Sequence, residues 1–453
     1  MPLLTDSLNP GNVYFKDRTF TPEIIRKCID ETAACLDRNY TSNSPFVYLF
    51  APNHIKTVFA LFGIIKSGRI CVLVDPAVGR IEFAEMTADA EPGAIIRIDK
   101  TTDAFNFEKE VEFRETKIDG NKLKGLDDVC LMLYTNAWDG WAKGAMLTNE
   151  SLLADAMAGI QCNSPYHDTV SCALLPLSHL LALQTGVIMP MIANGNVLIE
   201  DIASFSALKR VGESLERYKV RYLYSVPVIY HFLRKLPRIE KIVSEITHMT
   251  SGGCAMPEKL FFDYKNKFGK EIQQGYGLTE ASPVCTWHWP GDKIRMGSVG
   301  RAFPCCVLKI LDAFEQELPA GQLGEICVNG KNVFKGYYNN ECATQAVLRN
   351  GLLHTGDFGR MDEDGYVHLE NPRPYMINVS GNKVYRAELE RLIRKNRNVV
   401  NLKIGCEQDE LVCTRVLVKM ELQTKGPDAE KRVRNWCKEN ITPYKVPLEI
   451  RFY

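Results

Sequence analysis

Residues 134–144 read YTNAWDGWAKG, a short run holding two glycines and one lysine. It follows the apolar stretch Val129-Cys130-Leu131-Met132-Leu133, which reads as a buried strand, and it leads into AMLTNESLLADAMAG, which can form a helix. A strand, a glycine- and lysine-bearing loop and a helix together make a phosphate cradle. Backbone N–H groups and an ammonium point at the anion, and glycine lets the chain approach closely. The G-x-x-x-x-G-K-[ST] spacing of the common P-loop is absent. Taken alone, the stretch reads equally well as a surface turn with an ordinary lysine.

The elements that must position such a loop follow from periodicity. VYFKDRTFT is expected to form a hairpin around Lys16-Asp17, with Thr21 capping the next helix and Pro22 at its first position. Ile25, Cys28, Ile29, Thr32, Cys35 and Leu36 then recur at helical spacing. Strand-like runs at 46–50, 69–74 and 94–98 alternate with helix-like runs at 55–66 and 81–90, which argues for a parallel sheet covered on both faces. The alternation resumes with a helix around 207–217, a strand at 222–226 and a helix at 228–234. After Arg295, glycines separate short strands such as 307–310 and 325–328, the texture of a β-rich, barrel-like subdomain. Asn371-Pro372-Arg373-Pro374 is the best linker. A mixed unit follows, with helices at 387–395 and near 429–439 and strands at 399–404 and 412–420.

At 453 residues the chain is long for a single core. Formal net charge is +0, which excludes a nucleic-acid-binding surface or a polybasic membrane anchor as the leading reading. Fifteen scattered cysteines with no C-x-x-C pair favour reduced thiols in a cytoplasmic protein. Cys305 and Cys306 read as core filler at a strand start. Residues 169–198 carry no charge, yet Pro176, His179, Gln184, Pro190 and Asn194-Gly195-Asn196 interrupt them, so strand, helix and strand are expected and no membrane span.

Several further stretches, in order, carry a resemblance: LLPLSHLLAL at 174–183, TSGGCAMP at 250–257, QQGYGLTEASP at 273–283, GSVGRAFP at 297–304, LHTGDFGRMDEDGYVHL at 353–369 and VSGNKVYRAELE at 379–390. Together they resemble the signature motifs of the adenylate-forming superfamily, which includes acyl-CoA synthetases, peptide-synthetase adenylation domains and luciferases. The resemblance covers nearly the whole chain. It implies an α/β fold of three parts: a large N-terminal AMP-binding domain over 1–370 (α/β layers at 1–295, a β-rich subdomain at 296–370), a hinge at 371–376, and a small α+β C-terminal domain at 377–453.

The resemblance also implies a chemistry. Such enzymes join a carboxylate to ATP, releasing pyrophosphate. The C-terminal domain of thioester-forming members then rotates, and a pantetheine thiol displaces AMP. Charge that builds on phosphoryl oxygens requires hydroxyl, Mg²⁺ and ammonium groups. By this mapping Thr279 contacts the α-phosphate, Glu280 holds Mg²⁺, Tyr276 stacks on adenine between Gly275 and Gly277, and Asp357 accepts the ribose hydroxyls. Gly252 and Gly253 border the adenine or acyl pocket. His179, Val226 and Ser251 flank the acyl group, and Gly381 lies near the pantetheine arm. Thr135, Gly140, Lys143 and Gly144 belong to the ATP loop. Without the resemblance, Thr279-Glu280 reads as a helix cap followed by a first-turn acid, Asp357 as a turn former and His179 as an interior histidine.

The chain departs from the family where the triphosphate should sit. Against a family loop close to YTSGTTGxPKG, Asn136, Ala137, Trp138, Asp139 and Ala142 replace Ser, Gly, Thr, Thr and Pro. A carboxylate about 4 Å from another unit negative charge costs roughly 4 kcal/mol at an effective dielectric near 20, and Trp138 adds bulk. At the hinge, Asn371, Pro372 and Tyr375 stand where Gly-Arg and a pivot Asp are usual, with Arg373 one place from the ribose-binding arginine, and Arg386 replaces a proline. The sequence ends at Tyr453, before the family's Gly-Lys pair. Losing one such electrostatic group typically costs about a hundred- to a thousandfold in rate.

Two functions are expected from this pattern. The first is a carboxylate–thiol ligase with strongly impaired ATP-dependent adenylation, using AMP or ATP, Mg²⁺, and CoA or a carrier-protein phosphopantetheine. Its small-molecule partner would be a carboxylic acid, apolar or aromatic, or the matching acyl-adenylate. The second is an inactive relative that binds ligands or acts as a scaffold in a biosynthetic pathway.

Overall fold

The computed structural model describes every residue except 1–2, 137–139, 164–165, 203–204, 290, 371–375, 380–381 and 410–412. Trp138, Asp139, Gly381 and the hinge residues Asn371, Pro372, Arg373 and Tyr375 therefore lie outside the described residues.

Two seven-stranded sheets build the larger part. In one, Phe46–Phe50 pairs in parallel with Ile70–Val74 and Ala94–Arg97, and Ile70–Val74 pairs in parallel with Val129–Thr135. FVYLF and ICVLV are buried along their whole length. Such continuous apolar runs belong to strands covered on both faces. The other sheet runs from Gln273–Gln274 through His248–Ser251, Tyr222–Ser225, Val170–Ala173 and Asn196–Ile199 to the N-terminal hairpin Val13–Phe15 and Arg18–Phe20. Inward residues of both sheets share one core with the helix Ile55–Lys66, eleven of whose twelve residues are buried. A helix apolar on all sides is stable only in such a place.

Two expectations about local structure need correction or sharpening. Val129–Thr135 is not followed by a helix; Lys143–Thr148 turns back antiparallel to it, so the two strands form a hairpin. Ala145 and Leu147 alternate into the core, which holds this segment as a strand. The helix Asn149–Cys162 begins only after Thr148, whose hydroxyl accepts the Ser151 N–H while the Ser151 hydroxyl accepts the Thr148 N–H. The helix N-terminus thus does not face the loop. At Thr21 the backbone is extended as for a cap and Pro22 opens the helix Pro22–Asn39, but the Thr21 side chain makes no capping bond. The charge-free stretch folds as expected, with strands Val170–Ala173 and Asn196–Ile199 around buried helical turns. Among the described residues no helix is long and apolar enough to cross a membrane.

Beyond Arg295, the strands Cys306–Leu311, Gly324–Gly330, Leu348–Arg349, Leu352–Met361 and Val367–Leu369 pair as an antiparallel sheet. The C-terminal domain has its own sheet, built from Met376–Val379, Asn382–Tyr385, Val399–Asp409, Cys413–Leu422 and Glu449–Phe452. The helices Arg386–Arg394 and Pro427–Asn440 share its core.

An ionic cluster docks the C-terminal domain. Lys445 Nζ lies 2.6 Å from Glu82 Oε1 in the large domain and 2.7 Å from Glu388 Oε1 in its own. All three side chains are buried, and Thr442 N donates to Glu82 Oε2 at 2.6 Å. Burial pushes the Glu388 carboxyl up against the pull of Lys445. Burial opposes the Lys445 charge too, but Tyr444, Glu388 and Glu82 hold its ammonium well above the usual lysine range.

Lys445→Met would leave two buried carboxylates facing each other without a cation. We expect a loss of roughly 3–5 kcal/mol at pH 7. Burial already raises the Glu388 carboxyl above its unfolded value, and losing the pull of Lys445 raises it further, so the protein regains stability as pH falls toward 4.5. Urea unfolding at pH 7 and pH 5 checks this. A deficit equal at the two pH values, or none, would remove the cluster from its docking role.

Candidate functional site

A cavity of about 1310 Å³ runs between the two large sheets, the β-rich sheet and the C-terminal domain. The motif stretches converge on it. Tyr276 stands on a short strand whose amide donates to Thr286 Oγ1 at 3.1 Å, and its buried hydroxyl donates to Asp357 Oδ2 at 3.0 Å. Gly277 packs so closely that a Cβ there would fall 1.8 Å from the Pro283 carbonyl oxygen. No other residue fits at that point. Thr279 and Glu280 follow on a single 3₁₀ turn that lines the cavity.

Glu280 is held from two sides. Tyr337 OH donates to its Oε1 at 2.8 Å, and Thr135 Oγ1 donates to the same oxygen at 3.3 Å. A carboxylate with a neighbouring hydroxyl, facing a cavity, is an oxygen donor set of the kind Mg²⁺ takes. The residues therefore fit that ion. Tyr337 carries no motif signal; it reaches Glu280 because Gly336–Tyr337 pairs with Lys143–Thr148 at the sheet edge.

Asp357 sits on Leu352–Met361, and that strand is fixed by its neighbour. Glu325 Oε1 accepts the Gly356 N–H at 2.8 Å, and Thr355 Oγ1 donates to Ile326 O at 2.7 Å. Glu325, Cys327 and His354 bring their ligand atoms within 4.8 Å of one another. Arg349 Nη2, however, lies 2.9 Å from His354 Nδ1 and already supplies a cation there. The group is a hydrogen-bond network that braces the strand carrying Asp357.

Sequence reasoning missed Lys383. It belongs to the C-terminal strand Asn382–Tyr385, yet its Nζ lies 2.8 Å from Asp357 Oδ2. Lys383 borders the cavity directly, and Asp357 stands behind it. Burial opposes the Lys383 charge, but Asp357 and then Tyr385 overcome it and hold the ammonium above its usual range. A contact spanning two domains leaves no local trace in the sequence.

The other expected residues divide. Thr135, Lys143, His179, Val226, Gly252, Gly253 and Gly275 line the cavity. Lys143 Nζ lies 3.4 Å from Trp141 O and 6.0 Å from the centre of the Tyr337 ring. Ser251 is buried in its strand; Thr250, one residue earlier and on the opposite face, borders the cavity instead. Gly144 packs against Met132, where a Cβ would meet the sulfur at 2.8 Å. Gly140 adopts φ +91° and turns its carbonyl toward the C-terminal domain, where Arg391 Nε donates to it at 2.7 Å.

That last contact is part of a larger grip on the loop. Arg391 also makes a two-pronged ion pair with Glu85, at 2.6 and 2.9 Å, and its guanidinium lies 4.1 Å from the centre of the Trp141 ring. At the other end of the loop, Asn136 Nδ2 donates to Lys383 O at 2.6 Å and to Tyr444 OH at 3.1 Å.

The AMP-binding enzyme family model matches residues 9–338, which is most of the chain. The chain belongs to this family. Two similar relatives are the long-chain-fatty-acid–CoA ligase of Escherichia coli O6:H1 and the feruloyl-CoA synthase of Amycolatopsis. The first is 26% identical over 465 residues, 90% of this chain and 81% of the relative. The second is 29% identical over 420 residues, 90% of this chain and 84% of the relative. A solved structure of a malonyl-CoA ligase ternary product complex with methylmalonyl-CoA and AMP bound superposes with a TM-score of 0.83. It is 22% identical, and the match covers 100% of this chain and 97% of that one. The adenylate-forming fold expected from the motifs is therefore the fold of this AMP-binding enzyme family member.

The His179 side chain is exposed into the cavity, and the protein around it pulls its imidazole below the usual 6.5 against the opposing influence of Asp75. It is neutral at pH 7 and offers the cavity a polar edge without charge. We expect its NMR titration midpoint to fall below 6.5. With the folded value depressed, its contribution to stability is present above pH 6.5 and is lost as pH falls. A midpoint at or above 6.5 would mean that the pocket is open to bulk water.

Proposed function

We propose that this chain is a carboxylate–thiol ligase that holds an acyl-adenylate in the cavity and passes its acyl group to CoA or a carrier-protein phosphopantetheine. ATP-dependent formation of that adenylate is its weak step. The thiolate attacks the acyl carbonyl carbon, a C–S bond forms, and the C–O bond to the phosphate breaks. AMP departs with the electron pair, and the thiol's proton passes to solvent. Similarity to acyl-CoA ligases over nine-tenths of the chain supports the reaction class.

The observation that carries the finer reading is the grip of the C-terminal domain on the loop. Asn136 bonds to Lys383 and Tyr444, and Gly140 and Trp141 engage Arg391. In this arrangement both described ends of the would-be triphosphate loop are committed to protein partners. The groups assigned to the mononucleotide remain together: Tyr276 bonds to Asp357, and Thr135 and Tyr337 bond to Glu280. Glu280 would hold Mg²⁺, which would neutralise phosphate charge when bound. Thr279 would meet the α-phosphate, and Asp357 the ribose. Leu181, Tyr224, Val226, Ile229 and Trp287 would enclose the acyl group, and this wall suits an apolar or aromatic acid.

A second reading, a ligand-binding or scaffold relative without turnover, is favoured by one observation. Lys383 already occupies Asp357, the proposed ribose acceptor.

Calorimetry with AMP, ATP and a non-hydrolysable acyl-sulfamoyl adenosine separates the two. The ligase binds the acyl mimic most tightly and AMP more tightly than ATP, and exchanges pyrophosphate slowly with a panel of carboxylates. Trp138→Thr with Asp139→Thr should raise ATP affinity by at least about tenfold, because a repulsion of roughly 4 kcal/mol is removed. Brisk pyrophosphate exchange by the natural chain would sink the proposal. Binding of none of the three ligands would favour the scaffold.

A further inference from the structure

We infer that Lys383 is a nucleotide-phosphate-binding residue supplied to the site by the C-terminal domain. In this structure it pairs with Asp357, and it is released to the phosphate when ribose hydroxyls take that carboxylate. The inference rests on the nucleotide reading of the cavity and adds to it a residue and an exchange of partners.

The described cations that border the cavity make the case. Lys445 is committed to Glu82 and Glu388. Arg349 is committed to His354 and Glu315. Lys100 pairs with Asp201 at 3.7 Å and is largely solvent-exposed. Lys143 lies beside the Trp141 carbonyl and the Tyr337 ring. Lys383 has as its partner Asp357, a residue assigned to the nucleotide. It lines the same cavity as Tyr276, Thr279 and Glu280, and it shares the Asp357 Oδ2 acceptor with the Tyr276 hydroxyl.

The exchange is chemically balanced. Asp357 Oδ2 accepts from Tyr276 OH and from Lys383, so the ammonium offsets the carboxylate's charge. Ribose hydroxyls can replace the ammonium as donors to Asp357. The displaced ammonium, still tethered at the cavity wall, then faces a new anion, the phosphate ester. A charge-assisted hydrogen bond of this kind is stronger than a neutral one. The Lys383 carbonyl is itself anchored by Asn136 at 2.6 Å, so the residue's backbone has a fixed place from which its side chain can turn. Adenosine and AMP should therefore respond differently to this residue. Adenosine must displace the lysine and gains nothing from it, whereas AMP displaces the lysine and then pairs with it.

The test compares the ratio of the adenosine Kd to the AMP Kd, measured calorimetrically on the full chain. Lys383→Met should bind adenosine as tightly as the natural chain or more tightly, and should lower the ratio by about tenfold or more, since hydrogen bonds to charged groups are the stronger class. Lys383→Arg should keep the ratio within a fewfold of the natural value. Raising salt should shrink the ratio in the natural chain and leave it little changed in Lys383→Met. Thermal unfolding of each variant verifies folding, and Lys383→Gln replaces Lys383→Met should the latter not fold. An unchanged ratio in the folded neutral variant, or an equal loss in Lys383→Arg, overturns the assignment. A natural chain that binds AMP no better than adenosine overturns it and leaves the nucleotide reading standing. A natural chain that binds neither overturns both.

Discussion

One buried ammonium fixes the arrangement on which the site depends. Lys445 lies between Glu82 of the large domain and Glu388 of the small one, and all three side chains are removed from water. Burying three charges costs several kcal/mol per ion unless geometry and hydrogen bonds compensate. Here Thr442 completes Glu82, and the Gly79 amide bonds to the Thr442 hydroxyl at 3.1 Å. Such a cluster tolerates little displacement, because any shift leaves a carboxylate without its cation. It therefore acts as a register pin between the domains. The positions of Lys383, Arg391 and Tyr444 follow from it.

With that register set, the charge distribution in the cavity becomes intelligible. Glu280 and Asp357 are both carboxylates at a place proposed to receive an anion, an arrangement that is repulsive unless each is matched. Asp357 is matched within the protein, by Lys383 and the Tyr276 hydroxyl. Glu280 receives only two hydroxyl donors among its described partners, from Tyr337 and Thr135. The two carboxylates thus differ in their described partners: Asp357 is paired with an ammonium, whereas Glu280 accepts from hydroxyls.

Much of this was legible in the sequence. The buried parallel strands were readable because burial on both faces leaves continuous apolar runs such as FVYLF and ICVLV. The motif residues around Tyr276, Glu280 and Asp357 were readable because their order and spacing are distinctive. The hairpin 129–148 was misread, since AMLTNESLLADAMAG suits a helix along its whole length and only core packing of Ala145 and Leu147 decides against it. Ser251 was placed one residue off, because strand parity decides which neighbour faces the cavity. Lys383 and Tyr337 were illegible for a different reason. Each reaches its carboxylate through a pairing made far away in sequence, across 26 and 57 residues respectively.

Within the loop, Asn136, a departure from the family, and Trp141, at its variable position, both face the C-terminal domain. Asn136 replaces a serine, and its amide reaches two acceptors on the C-terminal domain. Trp141 lies under the Arg391 guanidinium, a favourable cation–π contact. In this arrangement the Asn136 amide and the Trp141 ring are both engaged by the C-terminal domain and add contacts that hold it in place. A loop that must open to admit a triphosphate works against such contacts, whereas a site that receives a preformed adenylate is made more ordered by them. Under the proposed function, the Asn136 contacts therefore help to hold the arrangement proposed for thioester transfer.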